Sequence, residues 1–264
     1  MLRILNMASN VSNQLTIILP TLNEAGNIGP LTTQIWNEIA DCQIIVADDG
    51  STDGTQEAVL ALAKQGKPIQ LLTRPGKPCL TDSIDSGIQA ARTPFVGWMD
   101  ADLSHPPQLI PQLLKYAETQ GCAIATRFAP GGSQKKNTKD SPDSFLATVL
   151  SGIMNFLVRH WLNVSVTDYT SGFIVCKREL IADHRLVGDY GEYFIELVYY
   201  LSRTGVKIFE IPYESPARQW GESKTGASLG LLMRRGMKYL WLALRLRLPA
   251  RAFGRWSLQT LPKN

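Results

Sequence analysis

Short apolar runs alternating with longer amphipathic stretches constrain this chain more than any other feature. Residues 15–19, 43–47, 69–73, 95–99 and 122–126 are short apolar-rich runs and read as buried strands. Between them, residues 28–39, 53–63, 80–91 and 106–119 read as helices, with Ile84, Ile88 and Ala91 on one stripe of the third. Ser51 or Asp53 is the expected N-cap of the second helix. Pro106 and Pro107 suit the first turn of the fourth, where missing N–H groups cost little. Strand and helix repeated in this way predict right-handed βαβ units and a mostly parallel sheet. Such a sheet must be covered on both faces, and 264 residues with 44% apolar content can do so without staples. Cys42, Cys79, Cys122 and Cys176 have no metal-ligand spacing and are expected to be reduced thiols.

In parallel sheets, ligands bind beyond the carboxyl ends of the strands. Pro20-Thr21-Leu22-Asn23-Glu24 follows the first strand. Asp48-Asp49-Gly50-Ser51-Thr52-Asp53-Gly54 follows the second, and Asp100-Ala101-Asp102-Leu103-Ser104-His105 follows the fourth. No dinucleotide-binding or P-loop glycine pattern follows any strand. Two carboxylates on one turn repel unless a cation sits between them, and hard oxygen donors suit Mg²⁺ or Mn²⁺. Taken alone, Asp100-x-Asp102 is equally a solvated loop and Asp48-Asp49 equally a helix cap. Together at one sheet edge they point to a nucleotide-diphosphate site, one pair reading base and ribose and the other holding a metal on the diphosphate.

These motifs resemble those of the family 2 inverting glycosyltransferases with a GT-A fold, in particular the dolichol-phosphate mannosyltransferase-like branch. The resemblance extends to Asp168-Tyr-Thr-Ser-Gly-Phe173, Tyr193-Phe-Ile-Glu-Leu197 and Arg218-x-x-Gly-x-Ser-Lys224. It covers residues 14–226, and implies an α/β GT-A catalytic domain over that span. It implies that Pro20, Leu22 and Glu24 line the nucleotide pocket and that Ala47 and Asp49 contact the base. Asp100, Ala101 and Asp102 would hold ribose, diphosphate and metal, with Asp102 the direct ligand. Arg127 would contact phosphate. Arg218 and Lys224 would close over the donor and offset charge on the departing diphosphate, one as a bidentate fork and the other as a mobile point charge.

Three positions depart from the branch pattern. Ser104 stands where a metal-ligating Gln is usual, and Cys79 where Gly is usual, so a side chain is expected to crowd that loop. Residues 144–151 lack the branch's arginine for the acceptor phosphate; Lys135, Lys136 and Lys139 in the preceding loop read first as a solvated loop and second as substitutes for it. A hydroxyl acceptor requires a general base, and Asp168, Glu192 and Glu196 are the candidates. An ionised phosphate acceptor requires none. His105, His160 and His184 are expected in structural or surface roles.

All 23 acidic residues lie within positions 1–222, whereas the last 42 residues hold nine basic ones. Leu231, Leu232, Met233, Met237, Leu240, Trp241, Leu242, Leu244, Leu246 and Leu248 interleave with Arg234, Arg235, Lys238 and Arg245. Residues 227–264 are therefore expected to include a basic amphipathic helix that lies on an anionic membrane, the alternative being a helix packed on the catalytic domain. No nucleic-acid-binding motif accompanies the charge. Residues 1–14 have no signal-like apolar core, and no run reaches a bilayer-spanning length. The expectation is a cytoplasmic enzyme, peripheral on the inner membrane face. It would pass mannose from GDP-mannose or glucose from UDP-glucose to a polyprenyl or dolichyl phosphate. A hydroxyl acceptor and a non-catalytic nucleotide-sugar-binding protein are the alternatives.

Overall fold

The computed structural model describes residues 14–40, 42–74, 76–134, 142–162, 164–188, 190–215 and 229–248. Strands β1 (Leu15–Thr21), β2 (Gln43–Asp48), β3 (Ile69–Thr73), β4 (Phe95–Trp98) and β5 (Gly121–Thr126) alternate with helices. The helices are α1 (Ala25–Glu38), α2 (Thr55–Lys64), α3 (Leu80–Ala90) and α4 (Ile110–Gln120). There follow β6 (Ser133–Gln134), α5 (Pro142–Leu162), β7 (Ile174–Lys177), α6 (Tyr193–Arg203), β8 (Lys207–Pro212), β9 (Glu214–Ser215) and α7 (Leu229–Arg247).

The main sheet has the order β3-β2-β1-β4-β7-β5-β8, and β6 pairs with β9 in a separate two-stranded ribbon. All main-sheet pairings are parallel except those of β7, which runs antiparallel to β4 and β5. Successive residues of a strand point to opposite faces, and the core divides accordingly. Ile17, Leu19, Ile44 and Val46 face α1, α2 and α4 through Ile28, Leu31, Val59 and Leu113. Ile18, Ile45, Val96 and Ile124 face α3, α5, α6 and α7 through Ile84, Val158, Phe194 and Leu242. Each such side chain taken fully out of water contributes about 1.5–3 kcal/mol before conformational entropy is subtracted. All four cysteines are buried free thiols.

Local differences from the sequence reading have physical causes. β1 continues through Pro20 to Thr21 because its pairing with β2 does, while its last β4 partner is opposite Ile18. The missing N–H of Pro20 therefore leaves no β4 acceptor unpaired. Neither Ser51 nor Asp53 occupies the N-cap of α2. Gly54 does, at φ +99°, a conformation that suits glycine. Asp53 instead accepts hydrogen bonds from Thr55 and from the Ala25 amide, which ties the starts of α1 and α2 together. Before α4, Pro107–Leu109 form a separate 3₁₀ turn. The C-terminal helix buries Leu242 and Ala243 on the domain while exposing Met237 and Trp241. Among the described residues, no helix is long and apolar enough to cross a membrane.

Candidate active site

The chain goes outward from β1 to β2 and β3, then returns to β4 on the other side of β1. This reversal opens a crevice beyond the strand ends, between the turns that follow β1 and β4. Both sequence-predicted carboxylate turns lie at this edge.

On the β2 side, Asp48 is buried and accepts hydrogen bonds from the Thr21 and Ser51 hydroxyls, the Gly50 and Ser51 amides and the Gln56 amide group. Burial pushes its carboxyl up, but these bonds outweigh burial and hold it below the usual carboxylate range. Asp48 thus shapes the turn. Its neighbour Asp49 accepts Arg74 Nε at 2.8 Å on one oxygen and the Cys79 amide at 2.8 Å on the other. Arg74 was not legible as a site residue. Its only signal is a basic residue directly after β3. Cys79 has φ −153°, an extended conformation open to any residue, so its backbone needs no glycine there. Pro20 pairs with Ala47 in the ladder, and the Ala47 side chain is wholly buried. Leu22 is half-buried beyond the strand end. Glu24 precedes α1 and accepts Asn27 Nδ2 at 2.7 Å, while its amide donates to Thr55 Oγ1.

On the β4 side, Asp100 is exposed, whereas Ala101, Asp102 and Leu103 are buried. Asp102 accepts the Ser104 amide at 3.0 Å, and the Ser104 carbonyl accepts the Ser215 hydroxyl. Leu103 holds φ +64°, a left-handed conformation that is strained for a leucine. His105 Nδ1 accepts the Asp100 amide at 3.0 Å, which leaves the ring proton on Nε2 in the neutral form. The ring stacks on Phe173 with centroids 5.1 Å apart and meets Tyr213 edge-on. Burial lowers its pKa despite the pull of Asp100 and Asp102. His105 is therefore structural, as expected of the histidines, and it braces the carboxylate turn from beneath.

The antiparallel strand explains how a distant motif reaches this edge. Because β7 runs against its neighbours, its start, and not its end, lies beside the ends of β4 and β5. Asp168 is fully buried there and accepts Arg127 Nε at 2.8 Å, Arg127 Nη2 at 3.0 Å and the Arg127 amide at 3.2 Å. Asp168 also accepts the amide and hydroxyl of Thr170. Arg127 donates further to the Thr170 carbonyl. Burial disfavours the Arg127 charge, but Asp168 outweighs it and the pKa rises above its already high ordinary value. Gly132 is required here, because a Cβ would lie 2.8 Å from the Thr126 carbonyl oxygen and 2.9 Å from the Arg127 backbone. Asn155 of α5 bonds the Tyr169 amide and Thr170 Oγ1, and sequence reasoning gave no signal for it.

The other proposed bases lie at the start of α6, Glu192 as its N-cap and Glu196 in its first turn. Glu196 is buried and meets His184 Nε2 at 2.9 Å, and Glu192 is buried beside Gly188. Arg218, Lys224, Lys135, Lys136 and Lys139 lie outside the described residues. Asp100 and Asp102 present hard oxygen donors on one turn, a set that fits Mg²⁺ or Mn²⁺. Among the described residues, no group of three His, Cys, Asp or Glu could hold a metal ion. An ion here would therefore complete its shell with water and substrate phosphate oxygens, as Mg²⁺ ordinarily does.

Several known proteins are similar to this chain in sequence, and solved structures are similar to it in architecture. The chain is 30% identical to a dolichol-phosphate mannosyltransferase of Mycosarcoma maydis, over 79% of this chain and 72% of that protein. It is 28% identical to the dolichol-phosphate mannosyltransferase of Saccharomyces cerevisiae, over 88% of each. It is 30% identical to a polyprenol monophosphomannose synthase of Mycolicibacterium smegmatis, over 80% of this chain and 81% of that one. Among solved structures, glucosyl-3-phosphoglycerate synthase from Mycobacterium tuberculosis, in complex with Mn²⁺, UDP and phosphoglyceric acid, shares the fold. Its TM-score is 0.66 at 18% identity, over 94% of this chain and 84% of that one. The sequence model of Glycosyl transferase family 2 matches residues 16–185, a span that runs from β1 past β7 and takes in both carboxylate turns and the Arg127–Asp168 pair. That match covers well over half of the protein, and the chain belongs to glycosyl transferase family 2.

Proposed function

We propose that this protein is an inverting hexosyltransferase that uses a nucleotide-diphosphate sugar, GDP-mannose or UDP-glucose, and a polyprenyl or dolichyl phosphate acceptor. The similarity to dolichol-phosphate and polyprenol-phosphate mannosyltransferases over most of the chain supports the acceptor class. The observation that carries the reading is the engagement of two of the three candidate bases, Asp168 and Glu196. Asp168 receives donors on both oxygens from Arg127 and Thr170, and Glu196 is bonded to His184. A hydroxyl acceptor must lose a proton as it attacks, whereas a phosphate is already anionic and needs no base.

In this reading an acceptor phosphate oxygen forms the bond to the anomeric carbon. The bond from that carbon to the donor diphosphate breaks with its electrons staying on the diphosphate, and configuration inverts. Pro20, Leu22, Glu24, Ala47 and Asp49 form the nucleoside end of the site. Asp100 and Asp102, with Ser104 beside them, hold a divalent ion, which when bound offsets diphosphate charge. Arg127, oriented by Asp168, faces phosphate, and Arg218 and Lys224 stabilise the departing diphosphate. Asp168 and Glu196 act as positioning residues and not as bases. The enzyme works peripherally on a cytoplasmic membrane face, to which residues 227–264 attach it.

A panel of nucleotide sugars, assayed by nucleoside diphosphate release with and without a polyprenyl phosphate, tests the reading. Release that rises with polyprenyl phosphate and yields a glycosylated lipid phosphate is expected. Release driven only by a glycan or lipid hydroxyl, or no turnover of any donor, would refute it.

A further inference from the structure

One carboxylate outside the crevice is tied to the Arg127–Asp168 pair from behind. Glu210 is half-buried in β8, a strand at the edge of the main sheet. It is opposite Ile124 of β5, and Thr126 is opposite Pro212, two residues on. Side chains two apart on a strand share a face, so Thr126 and Glu210 stand on the same side of the sheet as diagonal neighbours. Thr167 bridges them. Its amide and its hydroxyl donate to Glu210 Oε1 at 2.8 and 2.7 Å. The Thr167 and Thr126 hydroxyl oxygens are 2.8 Å apart, and Thr126 Oγ1 also accepts the Phe128 amide at 3.2 Å.

A carboxylate only accepts, so the single Thr167 hydroxyl proton goes to Glu210 and Thr126 must donate to Thr167. The bonds therefore run one way, from the Phe128 amide through Thr126 and Thr167 to Glu210. Burial raises the Glu210 carboxyl above its ordinary value, against the bonds it receives from Thr167 and the Asp168 amide. This chain of groups flanks the ion pair on both sides. Thr126 and Phe128 bracket Arg127, and Thr167 directly precedes Asp168. Arg127 commits Nε and Nη2 to Asp168 and Thr170, and no described residue takes its Nη1.

We infer that Glu210 is a positioning residue of the active site: through Thr167 and Thr126 it sets the spacing of the segments that carry Asp168 and Arg127, and so keeps the Nη1 edge of the guanidinium open to a substrate phosphate. The ion pair alone does not fix that direction. A long arginine side chain can follow Asp168 through a shift of either segment, but Nη1 then points elsewhere. A displacement of about 1 Å in a positioning group can cost about a hundredfold in rate. An inward-pointing charge on an edge strand also discourages pairing with another sheet, which accounts for a charge at Glu210 but not for its bonds to Thr167. That Nη1 meets a phosphate rests on the proposed function, which this inference deepens.

Hydrogen exchange of the Arg127 Nε–H, read by NMR on the full chain and assigned by its loss in Arg127→Lys, tests the clamp without any substrate. Turnover of nucleotide sugar with a polyprenyl phosphate tests its consequence. Glu210→Met and Thr126→Val should each speed the exchange about tenfold, because the pair opens more often. Each should also lower kcat about tenfold per folded molecule, and the double variant should be no worse than the worse single one, since all act through one chain of bonds. Glu210→Gln, which keeps an acceptor oxygen for Thr167, should recover most of both. Phe209→Ala, on the opposite face of the same strand and stacked on Tyr116, should lower Tm without moving either. The inference is overturned if Glu210→Met leaves the exchange as in the parent, if Glu210→Gln is as damaging as Glu210→Met, or if the losses multiply in the double variant. It is equally overturned if Phe209→Ala moves exchange and kcat as far, because the effect is then one of general stability. If the exchange responds as expected but neither parent nor variant glycosylates polyprenyl phosphate, the clamp on Arg127 stands and the proposed acceptor falls.

Discussion

Replacing Asp168 with Asn isolates what the Arg127–Asp168 pair does. The carboxylate is fully buried and accepts three bonds from Arg127 and two from Thr170. Asparagine keeps one acceptor oxygen and turns an NH₂ group toward donors. Arg127 cannot shed its proton, so its charge stays in place without a counter-charge. Removing one member of a buried pair costs about 3–5 kcal/mol. The remaining bonds from Arg127 to Thr170 place this case near the lower end. A loss of about 3 kcal/mol lowers Tm by roughly 6–12 °C in a chain of this size. Arg127→Met should also destabilise the fold, because it leaves the Asp168 carboxylate buried with only the Thr170 bonds. The double variant should recover about 1.5–3 kcal/mol relative to the sum of the single losses. Urea unfolding followed by tryptophan fluorescence and circular dichroism measures all four corners of the cycle. An Asp168→Asn variant within about 1 kcal/mol of the parent, with coupling below about 0.5 kcal/mol, would refute the reasoning. If Asp168 were instead a general base, its replacement would remove the acid limb of the kcat pH profile while leaving stability unchanged.

Other substitutions test separate parts of the site. Asp102→Ala should abolish metal-dependent donor binding while the chain stays folded, as read by calorimetric titration with Mn²⁺. Equal donor affinity in variant and parent would remove Asp102 from the metal site. Arg218→Ala and Lys224→Ala should lower kcat and kcat/KM together, and a rise in KM alone would mean that they bind only ground-state donor. Asp85 of α3 accepts the Leu186 amide, and burial raises its carboxyl from 3.8 to about 6. The folded chain therefore binds this proton more tightly than the unfolded one, and stability is lost as pH rises from about 4 to about 6. Asp85→Asn should flatten that fall by up to about 3 kcal/mol, read from urea unfolding across the pH range. A parent and variant with parallel profiles would show that Asp85 does not titrate in this window.

The sheet was legible because its signals are local. Each strand is a short apolar run, each crossover helix has its own stripe, and the carboxylate turns follow directly. Helix starts were less so. Gly54 occupies the N-cap of α2, while Asp53 divides its oxygens between Thr55 at the helix start and the Ala25 amide, 28 residues earlier. The roles of Asp168 and Arg127 were harder still. They meet across 41 residues only because β7 enters the sheet antiparallel, and no periodicity encodes strand direction. Arg74 and Asn155 were missed for the same reason: each acts through a partner in another element.

The site is built to keep its carboxylates still. Leu103 in the left-handed region costs of order 1 kcal/mol and persists only where the surroundings over-determine it. Here they do so from three sides. His105 takes the Asp100 amide, Asp102 takes the Ser104 amide, and Ser215 holds the Ser104 carbonyl. His105 in turn is wedged against Phe173, just before β7, and Tyr213, just after β8. The acidic turn is thus braced by the half of the sheet that carries Arg127. A nucleotide diphosphate laid across the crevice would meet carboxylates at one end and guanidinium at the other. The acidic end alone would repel it, so binding there requires a cation, and at the other end Asp168 already offsets the Arg127 charge. Groups that are fixed before the substrate arrives need no reorganisation as charge develops on the leaving diphosphate, and strain held at Leu103 is the local cost of that fixity.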